Sequence, residues 1–237
     1  MTPILFVTGT DTGVGKTVVA CGIARLLARS GRAIRALKPV ETGCAGAGET
    51  LRAEDAERLS AATGERYELG WSHARAFALP AAPSVAARHA GETLSVAALA
   101  KWVQERAEDV DLCVVEGAGG LLVPIGPDGT MADLALQTRA ELLVVAPDRL
   151  GVLNHVCLTA DVAKTRGLRI RTIVLNSTGD GNAPERQLEE LRSLLPHIPY
   201  FIELPRLPSV GAGAVADAIV DALAVAGLTP ESLWPTG

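Results

Sequence analysis

The segment Thr8-Gly9-Thr10-Asp11-Thr12-Gly13-Val14-Gly15-Lys16-Thr17 constrains this chain more than any other. It follows an apolar run, residues 4–8. It opens a stretch in which Val19, Ile23, Leu26, Leu27 and Ser30 recur at helical spacing until Gly31. Strand, glycine-rich turn and helix in that order form the setting of a phosphate loop. Glycines let backbone N–H groups turn inward around phosphate oxygens, and the helix N-terminus adds its positive end. In such a loop Lys16 reaches the terminal phosphates and the Thr17 hydroxyl is a Mg²⁺ ligand. The pattern is a variant. G-x-x-x-x-G-K-[ST] wants glycine at position 10, and Thr10 stands there with Gly9 one residue early.

Downstream, apolar runs of strand length alternate with segments of helical period. Residues 33–38 form a second apolar run, stopped by Pro39. Residues 41–51 are glycine-rich and read as a loop, residues 52–63 have helical period, and residues 71–82 carry only weak patterning. Ser95 suits the N-cap of a helix that places Val96, Leu99 and Val103 on one face. Residues 112–115, 141–146, 170–175 and 197–202 read as strands; residues 151–166, 185–195 and 215–225 read as helices. No repeat, low-complexity tract or long linker divides the 237 residues. The alternation predicts an α/β fold: a single doubly wound domain over residues 1–237, with a mostly parallel β-sheet flanked by helices. With only 3 Phe, 2 Tyr and 3 Trp, its core has to be aliphatic and alanine-rich.

In such sheets ligands bind at the carboxyl ends of the strands. That rule selects residues 9–17, 38–43, 116–120 and 147–154, with Asn176 and Pro205-Arg206-Leu207. Lys38 precedes Pro39, which biases it to extended geometry, so its ammonium is presented from the sheet edge near the phosphate loop. Glu116 closes an apolar strand where P-loop enzymes keep a Walker B carboxylate. The following Gly117-Ala118-Gly119-Gly120 lets the backbone approach a ligand closely. Asp55 lies among Glu54, Glu57 and Arg58 and reads locally as a surface charge. His73, His89, His155 and His197 have neither metal-site nor triad spacing.

Composition excludes several classes of function. A net charge of −5 leaves no basic footprint for nucleic acid. No run of about 18 apolar residues is present to span a membrane. The N-terminus has no basic region, so no signal peptide is expected. Cys21, Cys44, Cys113 and Cys157 are widely spaced and fit buried, reduced thiols of a cytoplasmic protein.

Taken together, residues 9–17, Lys38-Pro39-Val40-Glu41-Thr42-Gly43, Val115-Glu116-Gly117-Ala118-Gly119-Gly120, Leu150-Gly151-Val152-Leu153-Asn154-His155 and Asn176 resemble the dethiobiotin synthetase family over nearly the whole chain. The resemblance implies an ATP- and Mg²⁺-dependent ligase that carboxylates 7,8-diaminononanoate with CO₂ and closes a ureido ring, giving dethiobiotin, ADP and phosphate. It implies catalytic roles for Lys38 and Lys16. Thr12, Gly13, Val14, Gly15, Lys16 and Thr17 would hold the nucleotide phosphates, and Thr17, Asp55 and Glu116 the Mg²⁺. It places Asn176, Pro205, Arg206 and Leu207 at the adenine. Thr12, Lys38, Thr42, Gly119 and Gly120 face the diamine, and Gly151, Val152, Leu153 and Asn154 of a second subunit hold its terminal carboxylate. A homodimer with shared sites follows.

Glu41 departs from smaller residues in some relatives; its carboxylate either shapes the diamine pocket or faces solvent. Residues 209–214 resemble the family less. A nucleotide-switch ATPase of the partitioning class would want a lysine early in the loop, where Thr10 and Asp11 stand. A glutamine-dependent amidoligase would want a further domain.

Overall fold

The computed structural model describes residues 2–46, 48–65, 71–177, 186–206 and 211–234. Its elements in chain order are β1 (Ile4–Gly9), α1 (Lys16–Ala28), β2 (Ile34–Leu37), β3 (Val40–Thr42), α2 (Glu54–Thr63), β4 (Arg75–Phe77), α3 (Pro83–His89), α4 (Val96–Arg106) and β5 (Leu112–Glu116). There follow β6 (Pro124–Gly126), β7 (Gly129–Thr130), α5 (Met131–Gln137), β8 (Glu141–Pro147), α6 (Val152–Thr165), β9 (Ile170–Asn176), α7 (Gln187–Leu194), β10 (Tyr200–Leu204) and α8 (Ala212–Val225).

Six strands form one sheet in the order β10-β9-β8-β1-β5-β2, and every pairing in it is parallel. Parallel strands are buried on both faces, which is why their sequences are almost unbroken apolar runs. The period of two is still visible. Leu5, Val7, Leu112 and Val114 pack on one face with residues of α1, α2 and α8. Ile4, Phe6, Cys113 and Val115 pack on the other with residues of α3, α4 and α5. At Gly22 a Cβ would come within 2.4 Å of Val215, so glycine there sets the close approach of α1 and α8.

The strand order reverses at β1, whose neighbours are β5 and β8. Val7 lies beside Glu116, Leu37 beside Val115, and Gly9 beside Val145. The loops after β1, β2 and β5 therefore open on one edge, where a doubly wound sheet binds its ligands.

Five differences from the sequence reading matter. Residues 41–51 are not all loop: Val40–Thr42 is a strand paired with Arg75–Phe77, which lies in the stretch that reads as weakly patterned. Strands this short carry too few residues for a period to show. Helix α5 and the β6–β7 hairpin were not expected, although Thr130 and Asp133 form a capping box that the sequence spells out. Helix α3 likewise opens with the signal of Pro83 in its first turn. Ser30 lies beyond α1, exposed, with its hydroxyl donating to the Leu27 carbonyl. The last strand is Tyr200–Leu204 rather than 197–202.

Candidate active site

β1 ends at Gly9 and α1 begins at Lys16. The loop between them is tied to the sheet edge by Gly9 N–H donating to Gly119 O (3.3 Å) and Thr10 N–H donating to Val145 O (3.0 Å). Gly15 is the N-cap of α1 with φ of 94°, and no side chain caps the helix, whose first amides are left free for an anion. A side chain at Gly15 would strike Asn176 Nδ2 at 2.2 Å. Thr10 is not among the described residues with positive φ, so threonine replaces the usual glycine there without left-handed strain. Lys16 is 7% exposed and lies back along the loop, donating to Asp11 O at 2.8 Å. Burial first, and then the charge of Lys38, lower its ammonium to about 8.

Beside the loop sits a network of four side chains, from α1, α2, β5 and the residue after β2. Lys38, just past β2, donates to Glu116 Oε1 at 2.5 Å and to Asp55 Oδ2 at 3.0 Å. Thr17 in the first turn of α1 donates to the same Glu116 Oε1 at 2.8 Å. Lys38 and Glu116 are 4% and 1% exposed. Burial alone would lower the Lys38 pKa, but Glu116 and Asp55 together outweigh it and hold the ammonium above the ordinary lysine value. Asp55, half-buried, is thus a member of this network and not a free surface charge. Its position in α2 gives no hint of this, because the partner that matters is 17 residues away.

Among the described residues no three of His, Cys, Asp and Glu converge as a metal cage. Mg²⁺ asks for less: one or two carboxylates, with waters and phosphates filling the remaining positions. Thr17, Asp55 and Glu116 meet that need, and Glu116 Oε2 is buried with no hydrogen-bond partner. The residues present therefore fit a Mg²⁺ ion.

A cavity of about 580 Å³ joins these groups. Of the expected site residues, Thr12, Gly13, Gly15, Lys16, Thr17, Lys38, Thr42, Asp55, Glu116 and Gly119 line it. Gly120 lies in an adjoining groove with Thr10, Leu122 and Leu158. Val14 turns its side chain into the core and its carbonyl accepts from Asn176 Nδ2 at 3.0 Å. Asn176 thereby ties β9 to the phosphate loop. Pro205 and Arg206 are exposed beyond β10, and Leu207 lies outside the described residues, as does part of 209–214. Gly151 caps α6 with no side-chain partner, and residues 151–154 do not line the cavity of their own chain. Val152 is a core side chain, so only its backbone is open to a ligand.

The sequence reading missed one lining residue. Arg58 lines both this cavity and a neighbouring one beside Thr17, Val18 and Gly211. Of the two alternatives for Glu41, the structure has the buried one, at the border of this cavity; burial raises its carboxyl pKa against the opposing backbone donors of Asp55 and Ala56.

The model of a family described as an AAA domain matches residues 4–214. The ATP-dependent dethiobiotin synthetase BioD of Anaeromyxobacter dehalogenans is 42% identical over 90% of this chain and 94% of its own length. The enzyme of the same name from Pseudomonas aeruginosa is 37% identical over 90% and 94%. Among solved structures, the septum site-determining protein MinD from Pyrococcus horikoshii, complexed with Mg-ADP, superposes with a TM-score of 0.54 over 96% of this chain and 98% of its own. At 16% identity that likeness concerns the P-loop fold alone. High coverage at these identities, on a fold with its phosphate loop and strand-end carboxylate in place, assigns the chain to the ATP-dependent dethiobiotin synthetase family, ligases of biotin biosynthesis.

Proposed function

We propose that this protein, acting in the cytoplasm as a single ligase domain and a homodimer, converts 7,8-diaminononanoate, CO₂ and ATP to dethiobiotin, ADP and phosphate. The observation that carries the reading is the buried Thr17–Lys38–Asp55–Glu116 network in one cavity with Lys16. The proposed reaction brings two anions together. One amine adds to CO₂ and loses a proton, forming a carbamate. A carbamate oxygen attacks the γ-phosphorus of ATP, and the bond to the ADP oxygen breaks. The second amine attacks the carbamoyl carbon and loses a proton, the C–O bond breaks, phosphate leaves with the electron pair and can carry that proton, and the ring closes. Lys16 and Lys38 offset the repulsion between carbamate and triphosphate and the charge that develops as they react. When bound, Mg²⁺ at Thr17, Asp55 and Glu116 would neutralise phosphate charge.

The Thr12 and Thr42 hydroxyls and the backbone at Gly119 and Gly120 are the polar groups available to the diamine and carbamate. Gly13, Val14 and Gly15 supply backbone to the phosphates, and Asn176, Pro205, Arg206 and Leu207 are assigned to the adenine. The substrate carboxylate is assigned to the uncapped N-terminus of a partner's α6, at Gly151, Val152, Leu153 and Asn154. Leu150, just before that end, is 79% exposed, and Leu158 within α6 and Leu122, which share a groove, are also large, exposed apolar side chains. They suit a second copy of the chain. No described helix is long and apolar enough to cross a membrane.

Incubating the protein with 7,8-diaminononanoate, bicarbonate, ATP and Mg²⁺ is expected to give a dethiobiotin mass and one ADP per product. ATP hydrolysis with no such mass would reject the reading.

Glu116→Gln is expected to lower turnover at least about a hundredfold and to weaken the response of ATP binding to Mg²⁺. It also removes the charge paired with buried Lys38, so the nucleotide-free Tm falls as well. An unchanged Mg²⁺ response in titration calorimetry would remove Glu116 from the metal site.

A further inference from the structure

Helix α2 begins without a cap of its own. Its N-cap residue is Ala53, which has no side-chain acceptor, and the first amides of a helix need partners. The partner comes from another element. Glu41, in the middle of β3, accepts from Asp55 N–H through Oε1 at 2.9 Å and from Ala56 N–H through Oε2 at 3.1 Å. Both oxygens are committed to backbone, and the residue is 6% exposed. A carboxylate in this place also meets the positive end of the helix. β3 is itself held by β4, with Glu41 in register with Ala76.

Asp55 is therefore gripped twice: by its backbone, from Glu41, and by its carboxylate, from Lys38. We propose that Glu41 is a positioning residue, which caps α2 from β3 and so sets where the Asp55 carboxylate stands in the site. The proposal deepens the ligase reading and rests on its assignment of Asp55 to Mg²⁺. Because Glu41 also borders the cavity, a direct contact with a substrate amine is the rival role.

The test uses the full-length protein with E41A and E41Q. Without nucleotide or metal, hydrogen exchange at the Asp55 and Ala56 amides is expected to speed about tenfold in E41A, the loss of a cap, while β1 and β5 amides keep their protection. ATP affinity measured calorimetrically with Mg²⁺ is expected to fall about tenfold, and ATP affinity in EDTA to stay at the wild-type value. E41Q keeps one carboxyl-like oxygen as acceptor and is expected to fall between, so it decides the matter should E41A not fold. Unchanged exchange at Asp55 and Ala56 would overturn the proposal. So would a raised KM for the diamine with wild-type Mg²⁺ response, which assigns Glu41 to substrate. A wild-type protein whose ATP affinity ignores Mg²⁺ would overturn the proposal together with the metal reading beneath it. A failure confined to Glu41 differs, for there the wild type responds to Mg²⁺ and E41A responds equally.

Discussion

Lys38→Ala is expected to reduce turnover by about a thousandfold or more and to lower the nucleotide-free stability by about 3 kcal/mol. Both effects have one source. The Lys38 ammonium lies between Glu116 and Asp55, and Glu116 is almost wholly buried. Alanine leaves the two carboxylates without the ammonium between them, and the Thr17 hydroxyl donates to Glu116 alone. Removing one partner of a buried pair costs far more than an exposed pair contributes, because the remaining charge is left uncompensated. For a chain of this size, a loss of that order lowers Tm by about 6–12 °C. Mg²⁺ supplies a signature of its own. In the wild type a cation at Thr17, Asp55 and Glu116 must share those carboxylates with Lys38; in Lys38→Ala it does not. Adding Mg²⁺ should therefore raise the Tm of Lys38→Ala more than that of the wild type. Equal shifts in a thermal melt would show that the ammonium and the metal do not share ligands.

What the sequence disclosed and what it hid divide along a physical line. Features made by neighbours in the chain were legible. The phosphate loop is ten consecutive residues, the central strands are unbroken apolar runs, and Ser95 caps α4 by accepting from Ala98 N–H just three residues on. Features made by distant residues were not. Asp55 looks like one acidic residue among several until β2 brings Lys38 beside it. Glu41 looks like a loop residue until β4 pairs with β3 and α2 docks on its carboxylate. The resemblance to a family supplied Asp55, because a motif records the outcome of folding without needing to derive it. It supplied no role for Glu41, which acts through the backbone of the helix it holds. The capping box at Thr130 and Asp133 is a different case. It is local and readable, and it marks α5, but the helix has only 7 residues and too short an apolar period to stand out.

Mixing Lys16→Met with Asn154→Ala is expected to restore activity that neither variant has alone, to a ceiling of about one quarter of the wild type. In the proposed dimer each site takes its phosphate loop from one chain and the start of α6 from the other. Each variant homodimer then has two damaged sites. A mixed dimer has one doubly damaged site and one intact site, and random pairing makes half of all dimers mixed. Lys16 suits this test better than Lys38 because its loss spares the fold. Burial lowers its pKa from 10.5 to about 8, so the charged side chain is a burden on the free protein. Methionine keeps the length without the charge and is expected to raise the nucleotide-free stability by about 1–3 kcal/mol at neutral pH. The sign can be checked by titration. Below about pH 8 Lys16 is charged in both folded and unfolded chains, and the wild type carries the whole penalty. As pH rises through about 8 the folded chain releases the proton first, so wild-type stability climbs until the unfolded lysine titrates near 10.5. The advantage of Lys16→Met is therefore full below pH 8 and closes by pH 10.5. With both variants folded and subunit exchange shown by native mass spectrometry, no recovered turnover would mean that each chain binds the substrate carboxylate itself, and the shared site would have to be given up.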